Sequence, residues 1–242
     1  MPFCVRFLVL LPFVASGAVA QSPEASGDRL REARIGYTVV MAFGEQSQTF
    51  EGVRVVERGE HAGQAVWRTV DSYDVSEGAD TTEVDALTLL PIRRAATGQG
   101  LAYTFDDGRA SGTVAYGGET RAFDVDLGGT PTASEAALEL LVAGLDLAPG
   151  TTDTLHVFDP YAQGVRTMTM AVVESDGVTT PAGTFETFRL TIVPVDGDGL
   201  EQTTFDVLQE APHYVVRAHY QLPRVANSGT FDIEATDLAF DE

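Results

Sequence analysis

A period of two runs through this chain, and it restricts the fold more than any other feature. Tyr37, Val39, Met41 and Phe43 alternate with Thr38, Val40 and Ala42. Phe123, Val125 and Leu127 alternate with Asp124 and Asp126, Leu155 and Val157 flank His156, and Met168, Met170 and Val172 alternate with Thr167 and Thr169. Successive side chains of a strand point to opposite faces, so each run reads as a half-buried strand. Further strands are expected over 49–56, 64–75, 100–105, 109–116, 184–193, 200–208, 213–222 and 229–235. Turn formers separate them: Asp106-Asp107-Gly108, Gly117-Gly118, Ser175-Asp176-Gly177 and Asp196-Gly197-Asp198-Gly199. A chain of hairpins predicts a mainly β fold whose sheet is antiparallel, with one buried face and one wet face.

One segment departs from this period. After Pro131, Thr132-Ala133-Ser134-Glu135 has the spacing of a capping box, Leu138, Leu141, Val142 and Leu145 recur at i, i+3, i+4 and i+7, and Gly144 stands at the C-cap. This predicts one helix over 132–144 with a single apolar stripe. Many strands and one such helix suggest a strongly curved antiparallel sheet, a half-barrel, with the short helix packed over or into it. Residues 34–242 are expected to form this single domain, with a soft boundary near 131–150 and a polar lead-in over 21–33.

Residues 1–20 read as a secretory signal peptide: Arg6, an apolar run over 7–14, and the small-x-small site Ala18-Val19-Ala20. Cleavage after Ala20 leaves 242 − 20 = 222 residues and removes Cys4, the only cysteine. The mature protein then has no disulfide, no thiolate metal site and no cysteine nucleophile. No later run approaches the roughly 20 apolar residues that span a bilayer, so a soluble periplasmic or extracellular protein is expected. The chain has no lysine; its 15 basic residues are all arginine, against 36 Asp and Glu, for a net charge of −21. Such a surface repels phosphate backbones and anionic lipids, which excludes nucleic acid as a partner. Because the acids are spread along the chain, they read as a halophilic-type solvated surface.

Catalytic motifs are missing: no HExxH, CxxC, P-loop, dinucleotide fingerprint or G-x-S-x-G. Asp196-Gly197-Asp198-Gly199 lacks the further ligands of a calcium loop. No enzyme, metal or cofactor is therefore expected. His213, Arg217 and His219 share one face of an expected strand, too far apart for one metal, with Tyr214, Val216, Ala218, Tyr220 and Leu222 on the other. Arg93-Arg94 is the only basic pair; it could anchor an anionic headgroup or pair with Asp85 or Glu83.

Three segments resemble an exported bacterial family known as domain of unknown function 3108. Asp85-Ala86-Leu87-Thr88-Leu89-Leu90-Pro91 is similar to its D-x-x-T-L-x-P stretch. Pro181-Ala182-Gly183-Thr184-Phe185, followed by Arg189, is similar to its P-A-G-T-F-x-x-x-R hairpin, and Pro212 to Arg217 to its P-x-x-x-V-R strand. The resemblance spans residue 34 to the C-terminus. It implies kinship with the periplasmic lipoprotein carriers LolA and LolB, half-barrels closed by a helix around an apolar cavity, and implies no catalytic residues.

Two functions follow as expectations. In the first, a monomeric carrier holds a lipid, acyl chain or lipoprotein in a cavity lined by Phe43, Trp67, Met168, Met170, Phe188 and Tyr220, with Arg93, Arg94, His213, Arg217 and His219 as a polar rim. In the second, an envelope interaction protein has a filled core and uses its sheet edge for contact. An empty apolar interior of several hundred cubic ångströms would favour the first, a close-packed one the second.

Overall fold

The computed structural model describes residues 24–116, 118–129, 132–197, 202–221 and 229–241. The expected signal segment with Cys4, the turn residues Gly117, Asp198 and Gly199, and the strand ends Leu200 and Leu222 lie outside the described residues. An N-terminal meander contains β1 (Ala33–Phe43), β2 (Gln46–His61), β3 (Gln64–Tyr73), β4 (Ala79–Asp85), β5 (Pro91–Ala96), β6 (Leu101–Asp106), β7 (Arg109–Tyr116) and β8 (Glu119–Asp126). Then come β9 (Ala133–Ser134), α1 (Leu138–Ala143), β10 (Thr152–Asp159), β11 (Gly164–Glu174), β12 (Val178–Thr180) and β13 (Gly183–Phe185). The chain ends in β14 (Thr187–Pro194), β15 (Thr203–Leu208), β16 (Val215–Gln221) and β17 (Gly229–Phe240). Among the described residues, fifteen strands form one open sheet in the order β8-β7-β6-β5-β4-β3-β2-β1-β17-β16-β15-β14-β11-β10-β9, and β12–β13 is a separate hairpin. All ladders are antiparallel except the two-residue β9–β10 pair.

The mainly β, curved antiparallel sheet with one short helix is thus the observed class, and strand existence followed the period-two pattern. Boundaries and four strands did not. β4, β5, β9 and β12 were not expected; Pro91 opens β5 opposite Val84, where the register slips, a place that tolerates a missing N–H. Expected strand 184–193 divides at Glu186 into β13 and β14. The last expected core row, Tyr214 to Tyr220, holds, but β16 begins at Val215, so His213 is not on its wet face. His213 is buried, its ring nitrogen 2.8 Å from the Leu208 carbonyl.

The helix is shorter than its pattern. Ala133 and Ser134 pair with β10, Glu135–Ala137 is a 3-10 turn, and only Leu138–Ala143 is α-helical. Ser134, not Thr132, caps the 3-10 turn that leads into it, accepting the Ala137 N–H at 3.1 Å, and α1 itself starts after Ala137 with no side-chain cap. Leu138, Leu140, Val142 and Ala143 are all buried, so the apolar surface wraps round the helix instead of forming one stripe. That is the mark of a helix enclosed on several sides. It lies on the concave face, where Leu140 joins Ile35, Tyr37 and Trp67 while Val142 joins Met170, Leu190 and Phe205.

Two more pieces of chain fill the same concavity. Within the lead-in, Gly27–Arg29 forms a 3-10 turn and Leu30 is buried; the Trp67 indole donates to the Gly27 carbonyl at 3.0 Å. A side chain at Gly27 would strike the Ala86 carbonyl, so only glycine fits there. The β12–β13 hairpin packs Ala182 and Phe185 on the same core, and Ala182 N–H donates to the Ala235 carbonyl at 3.1 Å.

The two ends of the sheet meet by lapping. Phe158 stands on the face of β10 opposite Leu155 and Val157, yet it is fully buried against Tyr103, Phe105 and Phe123, with ring centroids 5.6–5.7 Å apart. The inner face of β6–β8 therefore covers the outer face of β10, and the sheet spirals past itself instead of closing.

On the outer face, Glu83 is almost wholly enclosed: its side chain is 1% exposed and receives Arg68 at 2.7 Å, Arg93 at 2.5 Å and His61 at 2.9 Å. Burial pushes its carboxyl up, but the hydrogen bonds from Arg93 and Arg68 outweigh it and hold the group below the usual glutamate value of 4.5.

Two outcomes are expected. Phe158→Ala removes the aromatic pin of the lap and should cost about 3–5 kcal/mol in urea unfolding; a loss under about 1 kcal/mol would sink the lapped arrangement. A depressed folded carboxylate contributes stability that is present above 4.5 and lost as pH falls through its folded value. The stability gap between the native chain and Glu83→Gln should therefore shrink from pH ~5 to pH ~3, read from urea midpoints; a constant gap contradicts the assignment.

Candidate functional site

The described residues of the concave interior leave little room for a ligand. The spaces between α1 and the sheet are about 10 Å³ each, one bordered by Val39, Tyr73 and Ile233, the other by Ile35, Val56 and Tyr214. Each holds at most a single water. The six apolar candidates do not line one void. Trp67 lies in the first core cluster; Met170 and Phe188 lie in the second, with Met168 and Tyr220 packed against it. Phe43 sits at the end of β1, edge-on to Phe231 at 6.3 Å.

What the interior does contain is charge. Arg54 on β2 takes Asp71 on β3 with both arms, at 2.7 and 3.1 Å, and its remaining nitrogen pairs with Glu139 of α1. Tyr220 on β16 donates to the other Glu139 oxygen at 2.6 Å. These three charged side chains are only 13–15% exposed. Burial pushes the Asp71 carboxyl up against the pull of Arg54, and the buried Tyr37 hydroxyl beside them has no protein partner. Arg94 and Asp80 form a second bidentate pair on the same face, at 3.0 and 2.6 Å. The C-terminal end of α1 is fastened by distant chain: Ser26 N–H and Arg29 donate to the Gly144 carbonyl, and His213 N–H donates to that of Ala143.

A wider concavity lies on the opposite, outer face. It encloses about 520 Å³ and runs over β14, β15, β16, β17 and β1, lined by Arg189, Asp206, Arg217, His219, Asp232 and Glu234, with Thr38 and Thr204. Its floor is a trio. Asp206 is 3% exposed and accepts Arg189 Nε at 2.8 Å and Arg217 Nε at 2.8 Å from the strands on either side. Register places Arg189, Asp206, Arg217 and Glu234 side by side across four strands. His219 and Asp232 form the neighbouring rung at 2.6 Å. Two guanidinium groups around one carboxylate keep a positive excess with N–H donors toward the groove, and Glu234 and Asp232 supply acceptors beside them.

The expected rim residues are thus divided. Arg217 and His219 meet in this groove, Arg93 joins Glu83 elsewhere on the outer face, Arg94 faces inward to Asp80, and His213 is in the core. Asp206, Arg189, Arg54, Asp71 and Glu139 were not singled out from sequence. A signal existed for two: Arg189 and Arg217 close the second and third motif segments, and both reach the same carboxylate. The first motif is a turn builder. Asp85 accepts Leu87 N–H, Thr88 N–H and the Thr88 hydroxyl, which turns Leu89 inward at φ 58°. Among the described residues, no cluster of His, Cys, Asp and Glu is placed to hold a metal ion, and no helix is long and apolar enough to cross a membrane.

The described residues thus form an open, helix-filled spiral of strands, a mainly β protein. The chain belongs to the family described as protein of unknown function DUF3108, whose model matches residues 8–233. No curated protein matches it. Among solved structures it is similar to a β-barrel-like protein of domain of unknown function DUF1849 from Brucella abortus, at 14% identity and TM-score 0.48, covering 88% of this chain and 99% of that one. A LolA superfamily protein from Nitrosomonas europaea is similar at 8% identity and TM-score 0.34, covering 88% and 87%.

Arg54→Ala leaves Asp71 and Glu139 enclosed without their cation and should cost about 3–5 kcal/mol. Glu139→Gln keeps hydrogen-bonding atoms for Arg54 and Tyr220 and should cost about 1–2 kcal/mol. Thermal unfolding of the two variants checks the order; losses within about 0.5 kcal/mol of zero for both would mean that α1 is held by its apolar contacts alone.

Proposed function

We propose that this protein is a non-catalytic, exported protein of the cell envelope that recognises a polar, charged group of a partner in the outer groove. The observation that supports this reading is the contrast in space. The concave face is occupied by the chain's own helix, hairpin and N-terminal turn and keeps voids of about 10 Å³, while the outer face offers about 520 Å³ lined by charge. The Arg189–Asp206–Arg217 floor suits an anionic group, and Glu234 with Asp232 suits an ammonium or hydroxyl beside it. Export is supported by the signal-like residues 1–20.

A second reading has its own observation. Helix α1 is only six residues long and meets the sheet partly through Glu139, Arg54 and Tyr220. Buried polar attachments favour geometry over raw stability, and a lid that lifts from an apolar floor of Tyr37, Val39 and Met170 would make a lipid or lipoprotein carrier.

Native mass spectrometry of protein isolated without detergent separates the two. A clean apo mass and no binding of an apolar fluorescent dye are expected. A lipid or acyl species present in stoichiometric amount would reverse the order of the readings.

A further inference from the structure

The lap leaves one long edge of the sheet outermost. Among the described residues β8 hydrogen-bonds to β7 alone, so its other side presents a row of backbone donors and acceptors. Along β8 only Phe123 is buried and Val125 half-buried; the remaining side chains are exposed. Because β6–β8 lie over β10, this edge opens onto the outer face of β10 and β11. Val165 stands there, opposite Phe158 in register and 36% exposed, and Phe158 touches Phe123 at a centroid distance of 5.6 Å. Val195, 54% exposed, donates its N–H to the carbonyl of Thr167, two residues along β11 from Val165. An edge strand with an apolar ledge beside it has the features of a β-augmentation site.

We propose that β8 is the docking edge for an extended segment of a partner protein in which apolar and cationic side chains alternate. The proposal rests on the interaction reading above and gives the partner's chemistry. Side chains of an added strand alternate between faces. Those facing the ledge lie beside Phe123 and Val125 and over Val165, so apolar groups fit along that half of β8, while the exposed Arg121 and Glu119, paired at 3.5 Å, share the face at its other end. Those facing outward lie beside Asp124 and Asp126, whose side chains are 62% and 74% exposed. Exposed Asp106 and Asp107 stand in the adjoining turn, whose Gly108 carbonyl accepts Leu127 N–H at the end of β8. Arg109 pairs with these aspartates, at 2.9 Å from Asp124 and 4.0 Å from Asp126. Four carboxylates and one guanidinium give −4 + 1 = −3, so cations fit on that face. A second copy of this chain is the wrong occupant: it carries a net charge of −21 without a lysine, and β8 laid on itself would set acidic edges together.

The test uses a fluorescein-labelled peptide of eight residues, the length of β8, alternating lysine and valine. Three controls accompany it: a glutamate–valine counterpart, and two copies of the lysine peptide N-methylated along one or the other edge. With the full chain, the lysine peptide should bind by anisotropy, and hydrogen exchange should slow over 119–126. One N-methylated copy should lose about tenfold or more, because several backbone hydrogen bonds vanish while charge is kept. The Asp124→Lys/Asp126→Lys variant, altered only at exposed positions, should lose a similar factor while its unfolding temperature stays close to that of the native chain. Equal binding of all lysine peptides, protection over β15–β17 instead of β8, no binding, or dimerisation of the chain through 119–126 would each overturn the proposal. Photo-crosslinkers at positions 122 and 204 in the producing cell separate the two levels of inference. Crosslinks from 204 alone remove the edge and leave the interaction reading; crosslinks from neither remove both.

Discussion

The pairing of β1 with β17 is the joint on which the rest of the molecule depends. It holds eleven residue pairs, from Ala33↔Phe240 to Phe43↔Gly229, and joins the two ends of the described chain. β1 also pairs with β2 over its whole length, so it belongs at once to both halves of the sheet. Without that joint there would be an N-terminal meander and a C-terminal one, each with an uncovered apolar face. With it, a single curved surface forms whose concave side must be filled. The chain fills it with its own turn, helix and hairpin, and laps one end over the other. Such pairing between distant residues carries a large loop-closure cost, which the buried core beneath it must offset.

Charge is organised by the same surface. Arginine is the sole strong cation here, and its two-armed geometry lets one side chain bridge carboxylates on neighbouring strands. Glu83 and Asp206 are each enclosed by two arginines on the outer face, while Arg54 and Arg94 each take an aspartate inside. Each of these pairs is a cross-strand neighbour on one face, so correct register is required to satisfy them. Many of the remaining acids are exposed to solvent. The groove and the free edge are two places where this acidic protein offers specific chemistry instead of bulk repulsion.

Much of the fold was legible. Tyr37, Val39, Leu155, Met170 and Val172 all face the core as their alternation requires, and Arg109–Tyr116 was bounded to the residue. Where reading failed, a tertiary cause is visible. β4 was missed because its inner face carries Asp80 and Thr82, polar residues satisfied or enclosed only by neighbouring strands. The helix stripe misled because α1 is surrounded, so Leu140 is as buried as Val142. His213 was set on a wet face because parity was counted back past the true start of β16.

The sequence by itself determined the class of the molecule: alternating strands, turns between them and one helix. These are local properties, written in spacing and composition. Only the tertiary structure decided that the concavity is filled, that Arg189 and Arg217 meet on Asp206, that Glu139 reaches Arg54, and that β8 ends up outermost. Each of these depends on which distant strands become neighbours and in what register. A one-residue slip sends every side chain of a strand to the other face, and the period along the chain carries no record of the partner.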